Sequence, residues 1–446
     1  MNGRNGRSRI IAPAGRTEWQ NWGRTVRIRP ERIEAPGSIP ELQRAVASAA
    51  ASGQRVKAVG AGHSFTGIAE APGLLLELGR LQGLLGVDAE RGQVRLLAGT
   101  RLHQIPELLA PHGLAMPNLG DIDRQSIAGA ISTGTHGTGA AFGGLSTQVV
   151  GLTLVQPDGG LLTLDAGDPL LPAVALSLGA LGVIAEVTLQ CVPAFVLRAE
   201  ERSEPLADVL EALTERVKGT DHFEFYWFPH TDRAATKANT RLPGTAPRKP
   251  LPALGRWVDE SLLSNTVFRA TCAAGTLAPA TVPPVNRIAA RLLGGREYAD
   301  FSPHVFTQRR TVRFREMEYA LPADLLPSAF EALQQLIQES RWRISFPVEV
   351  RWAAGDDRWL STAHGRDTAY IAVHRYYRED PAEYFDAVEE VMLAHGGRPH
   401  WGKMHSLDAA ALEQRYPRFG DFQAVRDRLD PERVFANPYL DRVLGK

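Results

Sequence analysis

The stretch Val59-Gly60-Ala61-Gly62-His63-Ser64-Phe65 ends a run at 56–60 that reads as a buried strand, and turns it sharply through Gly-x-Gly. Glycine lacks a Cβ, so a strand followed by such a turn lets backbone N–H groups converge on an anion, as phosphate loops do. The dinucleotide fingerprint requires a third glycine at residue 65 and a helix beyond it; Phe65 and Gly67 deny both. On this segment alone, a tight turn around a satisfied histidine is an equal reading. A second stretch favours the anion: Ser132-Thr133-Gly134-Thr135-His136-Gly137-Thr138-Gly139, inside the glycine-dense run from Gly129 to Gly144. Hydroxyls interleaved with glycines supply donors in a concave nest suited to pyrophosphate.

Around these loops, residues 17–195 alternate short helices and strands. Ser38-Ile39-Pro40-Glu41 is a capping box, after which Leu42, Val46 and Ala50 share one helical face until Gly53. Residues 74–78 and 94–98 read as strands, and 102–111 as a helix ending near Gly113. The uncharged run 170–185 is shorter than the ~20 residues a bilayer requires, and Pro172, Gly179 and Gly182 interrupt it. It reads as a buried helix turning into a strand at 183–189. After about residue 196 the pattern changes. Helical periods at 205–217, 324–339 and 381–394 alternate with aromatic-rich strands at 223–228, 311–319, 344–352 and 369–376. That mixture predicts an α+β domain with one antiparallel sheet. Residues 240–256, with four prolines and four basic residues, read as an exposed loop or lid, and 407–446 as a polar, helical end.

Composition narrows the function. Across 446 residues, 50 Lys+Arg balance 50 Asp+Glu, so no global positive field exists to hold nucleic acid or an anionic membrane. Two cysteines, Cys191 and Cys272, make neither a disulfide framework nor a Cys-rich metal site, and a reducing cytosol is the simplest compartment. The first sixteen residues carry four arginines but no apolar signal-peptide core, and read as a disordered tail.

Two further segments could carry chemistry. In Glu349-Val350-Arg351, strand alternation points the acid and the guanidinium to one face. Such a pair is either structural or a device for orienting a hydroxylated substrate toward developing charge. In His400-Trp401-Gly402-Lys403, the lysine is either a solvated charge or part of a site. His395, His400 and His405 are spaced by five, which does not give the i, i+4 pairing of a helical metal site, so no metal is expected. No Gly-x-Ser-x-Gly nucleophile elbow occurs.

In order along the chain, Gly60-Ala61-Gly62-His63-Ser64, Asn118-Leu119-Gly120, Ser132-Thr133-Gly134-Thr135-His136-Gly137, Glu349-Val350-Arg351 and His400-Trp401-Gly402-Lys403 resemble the sugar-lactone and alditol oxidases, members of the vanillyl-alcohol-oxidase-like flavoproteins. The similarity runs from about Asn21 to Leu444. It implies an α+β fold with a two-part FAD-binding domain (17–195), a cap domain bearing substrate residues and an antiparallel sheet (196–405), and a C-terminal segment (406–446) returning to the FAD domain.

The resemblance also implies roles. His63 matches the histidine that bonds covalently to the flavin in many members, while the lack of a cysteine near Ser126–Gly139 removes a second link. Gly60, Ala61, Gly62, Ser64, Gly120, Ser126, Gly129, Ser132, Gly134, Thr135, His136, Gly137, Gly182, Val183, Ile184 and His400 fall at cofactor-binding positions. Glu349, Arg351, Lys403 and His374 match residues that hold the reacting carbinol and stabilise reduced flavin. Asp121 stands where alditol oxidases carry a substrate-contacting serine. Asn118-Leu119-Gly120-Asp121-Ile122-Asp123 looks more like bacterial arabinonolactone or gulonolactone oxidases. The expected activity is oxidation of a sugar-1,4-lactone hydroxyl, with FAD reoxidised by O2 to give H2O2. An alditol oxidase, a lactone dehydrogenase and a non-catalytic flavin- or sugar-binding protein are the alternatives.

Overall fold

The computed structural model describes residues 18–252, 265–292, 295–308 and 310–446; the N-terminal tail expected at 1–16 lies outside them. Local sequence dictates the first helix, Ile39–Ala51. The Ser38 hydroxyl accepts the Glu41 N–H at 3.3 Å, while the Glu41 carboxylate reaches one residue further back than a capping box does, accepting from Gly37 N–H at 2.7 Å. Leu42, Ala45, Val46 and Ala49 form its buried face, and Gly53 at φ +69° ends it.

Among the described residues, three larger sheets build the molecule beside two two-stranded ones. A parallel sheet places Leu74–Glu77 between Arg32–Glu34 and Val56–Val59. A five-stranded antiparallel sheet runs in the order Leu161–Leu164, Val149–Val155, Val183–Gln190, Gln93–Leu97, Leu84–Asp88. An eight-stranded antiparallel sheet runs Arg296–Phe301, Phe195–Pro205, Arg233–Pro243, His222–Trp227, Val348–Ala353, Thr368–Tyr376, Phe314–Pro322, Arg398–Pro399.

Period-two alternation divides the large sheet into two chemically distinct faces. Phe223, Phe225, Trp227, Val348, Val350, Met317 and Tyr319 face the helices Leu326–Glu339 and Ala382–Ala394, and share a core with Phe330, Leu333, Phe385 and Val388. Their neighbours Glu224, Tyr226, Glu349, Arg351, Glu316 and Glu318 are left to the other face. Register brings these together across strands: Tyr226 stands opposite Glu349, and Glu316 opposite His374.

The C-terminal helices Ala409–Glu413, Phe419–Leu429 and Pro438–Leu444 are amphipathic rather than uniformly polar. Leu412, Phe422, Val425, Leu440 and Val443 enter the same core as Leu42, Val46 and Leu74. Asn437 fixes this docking by donating to the carbonyls of Gly67, Ile68 and Glu70.

Several boundaries differ from the sequence expectation. Within 170–185 only Leu171–Val174 is helical, because Leu178 and Gly179 take positive φ and turn the chain before the strand. Buried turns and buried helices are equally apolar, so composition does not separate them. The 205–217 pattern splits into Leu206–Glu211 and Leu213–Gly219. The strands expected from 311 and 344 begin at Phe314 and Val348. The supposed loop at 240–256 starts as the end of Arg233–Pro243, and Lys249 pairs with Ala299 through two backbone bonds; 253–256 lie outside the described residues. Among the described residues, no helix is long and apolar enough to cross a membrane.

Candidate active site

Two cavities meet at His63, Ser64, Gln125 and Thr133. The smaller, about 100 Å³, is walled largely by backbone. Gly60, Ala61, Gly62, His63 and Ser64 form one side, and Ser126, Gly129 and Ser132 of the helix Ile127–Ser132 and its cap form another. Gly182, Val183 and Ile184 complete it. A Cβ on Gly60 would lie 2.2 Å from the Ser126 Oγ, and Gly62 has φ +68°, so only glycine fits this close packing. Among the described residues, no protein acceptor meets the N–H groups of Ala61, Gly62, His63 or Ser64. Such N–H groups, turned toward a cavity, are what a bound phosphate requires, so this site fits the diphosphate of FAD.

Gly134 and Gly137, expected beside the cofactor, line neither cavity. Gly134 holds a turn at φ +78°, and a Cβ on Gly137 would sit 2.3 Å from the Leu119 carbonyl oxygen. Both shape the loop from behind.

The larger cavity, about 640 Å³, sets a cluster of charged side chains against apolar ones such as Trp22, Phe65, Phe268, Phe314 and Phe346. Arg351 Nε lies 2.5 Å from the Glu349 carboxylate and 2.8 Å from that of Glu224, and its Nη2 donates to the Tyr226 hydroxyl at 3.3 Å. Beside this group, the Lys403 ammonium pairs with Glu316 and lies 4.0 Å from Glu318. His374 Nε2 is 3.6 Å from Glu316. His136 Nε2 lies 3.1 Å from Glu318, its ring stacking on Tyr370 at 3.6 Å. At the rim, Arg310 Nε donates to Asp121 at 2.5 Å. Backbone bonds fix the Lys403 turn: Met404 N–H to the Glu316 carbonyl at 2.9 Å, His400 N–H to that of Glu318 at 3.0 Å, and Phe65 N–H to that of Gly402 at 2.7 Å. The His63 loop and the large sheet are thereby locked together through residues 400–404.

The electrostatics push like groups apart. Burial works to raise the Glu316 carboxyl, but Lys403 and His374 outweigh it and hold it at about 2. Glu318 behaves likewise, burial being overcome by His136 and Lys403. Glu349 goes the other way: burial raises its carboxyl against the pull of Arg351. Burial opposes the charge on Lys403 and on Arg351, yet the facing carboxylates raise both. Asp121 is held down, against its burial, by Arg310 and Arg351. Carboxyls with separated protonation behaviour in one cavity are the arrangement acid–base and charge-stabilising chemistry uses.

Burial, with Lys403 nearby, lowers the His63 imidazole to about 4. It packs 5.6 Å from the Trp22 ring, and neither of its nitrogens meets a protein partner among the described residues. Ligand atoms of His136, Glu318 and His400 lie within 4.8 Å of one another, a spacing a metal ion could use. Their donors are otherwise engaged: Glu318 is bonded to His136, His400 Nδ1 accepts from Gly402 N–H at 3.0 Å, and the Lys403 cation lies alongside.

Of the sequence candidates, His63, Ser64, Gly120, Asp121, Thr135, His136, Glu349, Arg351, His374, His400 and Lys403 line the larger cavity. Sequence reasoning missed Glu224, Tyr226, Glu316, Glu318 and Arg310. Glu224–Tyr226 and Glu316–Glu318 carry the same i, i+2 signal that singled out Glu349 and Arg351.

Residues 187–443 match the D-arabinono-1,4-lactone oxidase family, and residues 30–165 the FAD binding domain family. The chain is 46% identical to L-gulono-1,4-lactone dehydrogenase of Mycobacterium tuberculosis, covering 96% of this chain and 99% of that one. It is 34% identical to L-gulonolactone oxidase of Bos taurus (96% and 98% covered) and 31% identical to alditol oxidase of a Streptomyces species (95% and 98%). Its fold matches a cholesterol oxidase from Brevibacterium sterolicum with TM-score 0.82 at 19% identity, over 96% and 97% of the two chains.

Proposed function

This chain belongs to the D-arabinono-1,4-lactone oxidase family of FAD-dependent oxidoreductases acting on CH–OH groups, and we propose that it oxidises a hydroxyl of a sugar-1,4-lactone of the L-gulono or D-arabinono type. The observation that carries this reading is the buried Glu349–Arg351 and Lys403–Glu316 array on the wall of the cavity that His63 joins to the backbone-lined one.

Residues 60–64, with Ser126, Gly129, Ser132 and 182–184, would hold FAD, which when bound would supply the hydride acceptor. Arg351 and Lys403 lower the pKa of the substrate hydroxyl and stabilise the negative charge that develops as its proton leaves. Glu349, with its proton affinity raised by burial, hydrogen-bonds the neighbouring hydroxyls. Glu224 and Tyr226 orient Arg351, and Glu316 orients Lys403. The Asp121–Arg310 pair supports a lactone over an open-chain polyol, because a salt bridge replaces the small hydroxyl expected in alditol oxidases. His63 is the covalent attachment point for FAD, a role supported by its neutral, unpartnered imidazole. Residues 17–195 and 406–446 form the cofactor domain and 196–405 the substrate domain. Free, buried Cys191 and Cys272 suit a reducing cytosol.

Oxygen is the electron acceptor in this reading, which Gly120 supports by lining the cavity without a side chain. A dehydrogenase using another acceptor is the second reading, favoured by the name of the mycobacterial relative. The test is to precipitate purified protein with acid, and to follow oxygen uptake with each lactone and with xylitol. Yellow colour in the pellet and lactone-dependent oxygen uptake are expected. A colourless pellet removes the covalent link. Uptake with xylitol alone removes the lactone, and dye reduction without oxygen uptake selects the dehydrogenase.

A further inference from the structure

Lys57, on the strand Val56–Val59, is 3% exposed and lies in the wall of the smaller cavity. Its ammonium donates to the carbonyls of Gly179 at 3.0 Å, Phe435 at 3.2 Å and Leu178 at 3.4 Å. All three acceptors belong to residues that line the same cavity. Among the described residues no carboxylate is in ion-pair contact with it, and it is the only Lys, Arg, Asp or Glu in that lining. A buried ammonium with carbonyl partners alone is an expensive feature unless a further negative charge arrives. The turn that follows this strand brings to the same cavity the unpaired N–H groups of residues 61–64, which also call for an anion.

We propose that Lys57 supplies the counter-charge for the diphosphate of FAD, acting across the cavity wall while it pins the 178–179 turn and Phe435. This rests on the smaller cavity holding the cofactor. Three N–H groups already occupied by carbonyls mean that the charge acts through space rather than by a direct bond. The groups facing Lys57 are few. Arg426, on the helix Phe419–Leu429, disfavours its charge and Asp430 beyond that helix favours it, while burial dominates and lowers the amine to about 7. A bound dianion works against that loss.

The experiment uses the full-length His63→Ala chain, from which flavin exchanges, titrated by calorimetry with FAD, ADP and riboflavin. Adding Lys57→Met should weaken FAD and ADP about tenfold or more, the scale of one charge contact, and leave riboflavin unchanged. Equal weakening of all three, or of none, overturns the proposal. If the parent binds none of them, the cofactor assignment itself falls. Should Lys57→Met not fold, Lys57→Gln, which removes the charge but keeps a hydrogen-bond donor, takes its place in the same titrations with the same outcomes.

Discussion

The two cavities touch at His63 but are made of opposite materials. One offers backbone N–H groups and glycines with a single lysine; the other offers buried carboxylates and a guanidinium on a sheet face, with an ammonium on the turn docked against it. An anion that never changes can be held by fixed dipoles, which loops supply, with one buried counter-charge beside them. Stabilising charge that appears during a reaction needs ionised groups whose states are set in advance, and packed strands hold these rigidly. The contrast supports cofactor retention by the glycine-rich loops and chemistry by the charged sheet face together with the His400 turn docked on it.

The sharpest way to break this division is Arg351→Ala. Loss of its charge should slow flavin reduction by about 10²–10³ while flavin stays bound. The variant should also lose stability, of order 3–5 kcal/mol, because Glu224 and Glu349 lose their shared partner. Arg351→Lys restores charge without the fork and should recover the stability more than the rate. Anaerobic stopped-flow and calorimetry separate the two effects. A reduction rate within a few-fold of wild type would make the array structural.

Acid should act next most strongly. Burial lowers the imidazoles of His222 and His400 to about 4 and that of His405 to about 3. Below the ordinary value of about 6.5 the unfolded chain therefore binds protons that the folded chain refuses, so stability falls as pH drops. Glu316, held at about 2, adds to the loss in more acid solution, whereas Glu349 opposes it. Melting temperature should fall by about 5–10 °C from about pH 7 to about pH 5. A flat profile would contradict neutral, buried histidines.

Gly120→Ala is expected to have the smallest effect, and it probes the wall of the larger cavity. An added Cβ would lie 3.0 Å from the His136 carbonyl oxygen and 3.4 Å from Thr135 Cγ2. It would narrow the approach and press on the His136 loop together. Reoxidation by oxygen should slow more than reduction by substrate, read by stopped-flow after anaerobic reduction. Equal slowing of both steps would assign the effect to the loop rather than to oxygen entry.

The loop cavity was legible in the sequence because backbone demands leave a mark: Gly60 and Gly62 stand where a side chain cannot. At Gly134 and Gly137 the same mark goes with a turn and a close approach to the Leu119 carbonyl rather than with the cavity lining, since a glycine reveals close approach but not to what. Glu349 and Arg351 were legible as a polar pair in an apolar strand. Glu224 and Tyr226 carry an equal signal, yet their importance depends on His222–Trp227 lying beside Val348–Ala353, strands more than a hundred residues apart. Sheet order of that kind is a tertiary fact. Glu316 with Lys403 was hidden for the same reason, as the pair forms only when the His400 turn docks on Phe314–Pro322.

The claim that one cavity wall holds the flavin and the other drives its reduction is tested most directly by anaerobic addition of L-gulono- or D-arabinono-1,4-lactone to the purified flavoprotein. Bleaching of the oxidised-flavin absorbance within the mixing and turnover time, with nearly unchanged flavin content, is the predicted result. Flavin that stays oxidised under both lactones, while a chemical reductant bleaches it normally, would contradict the account.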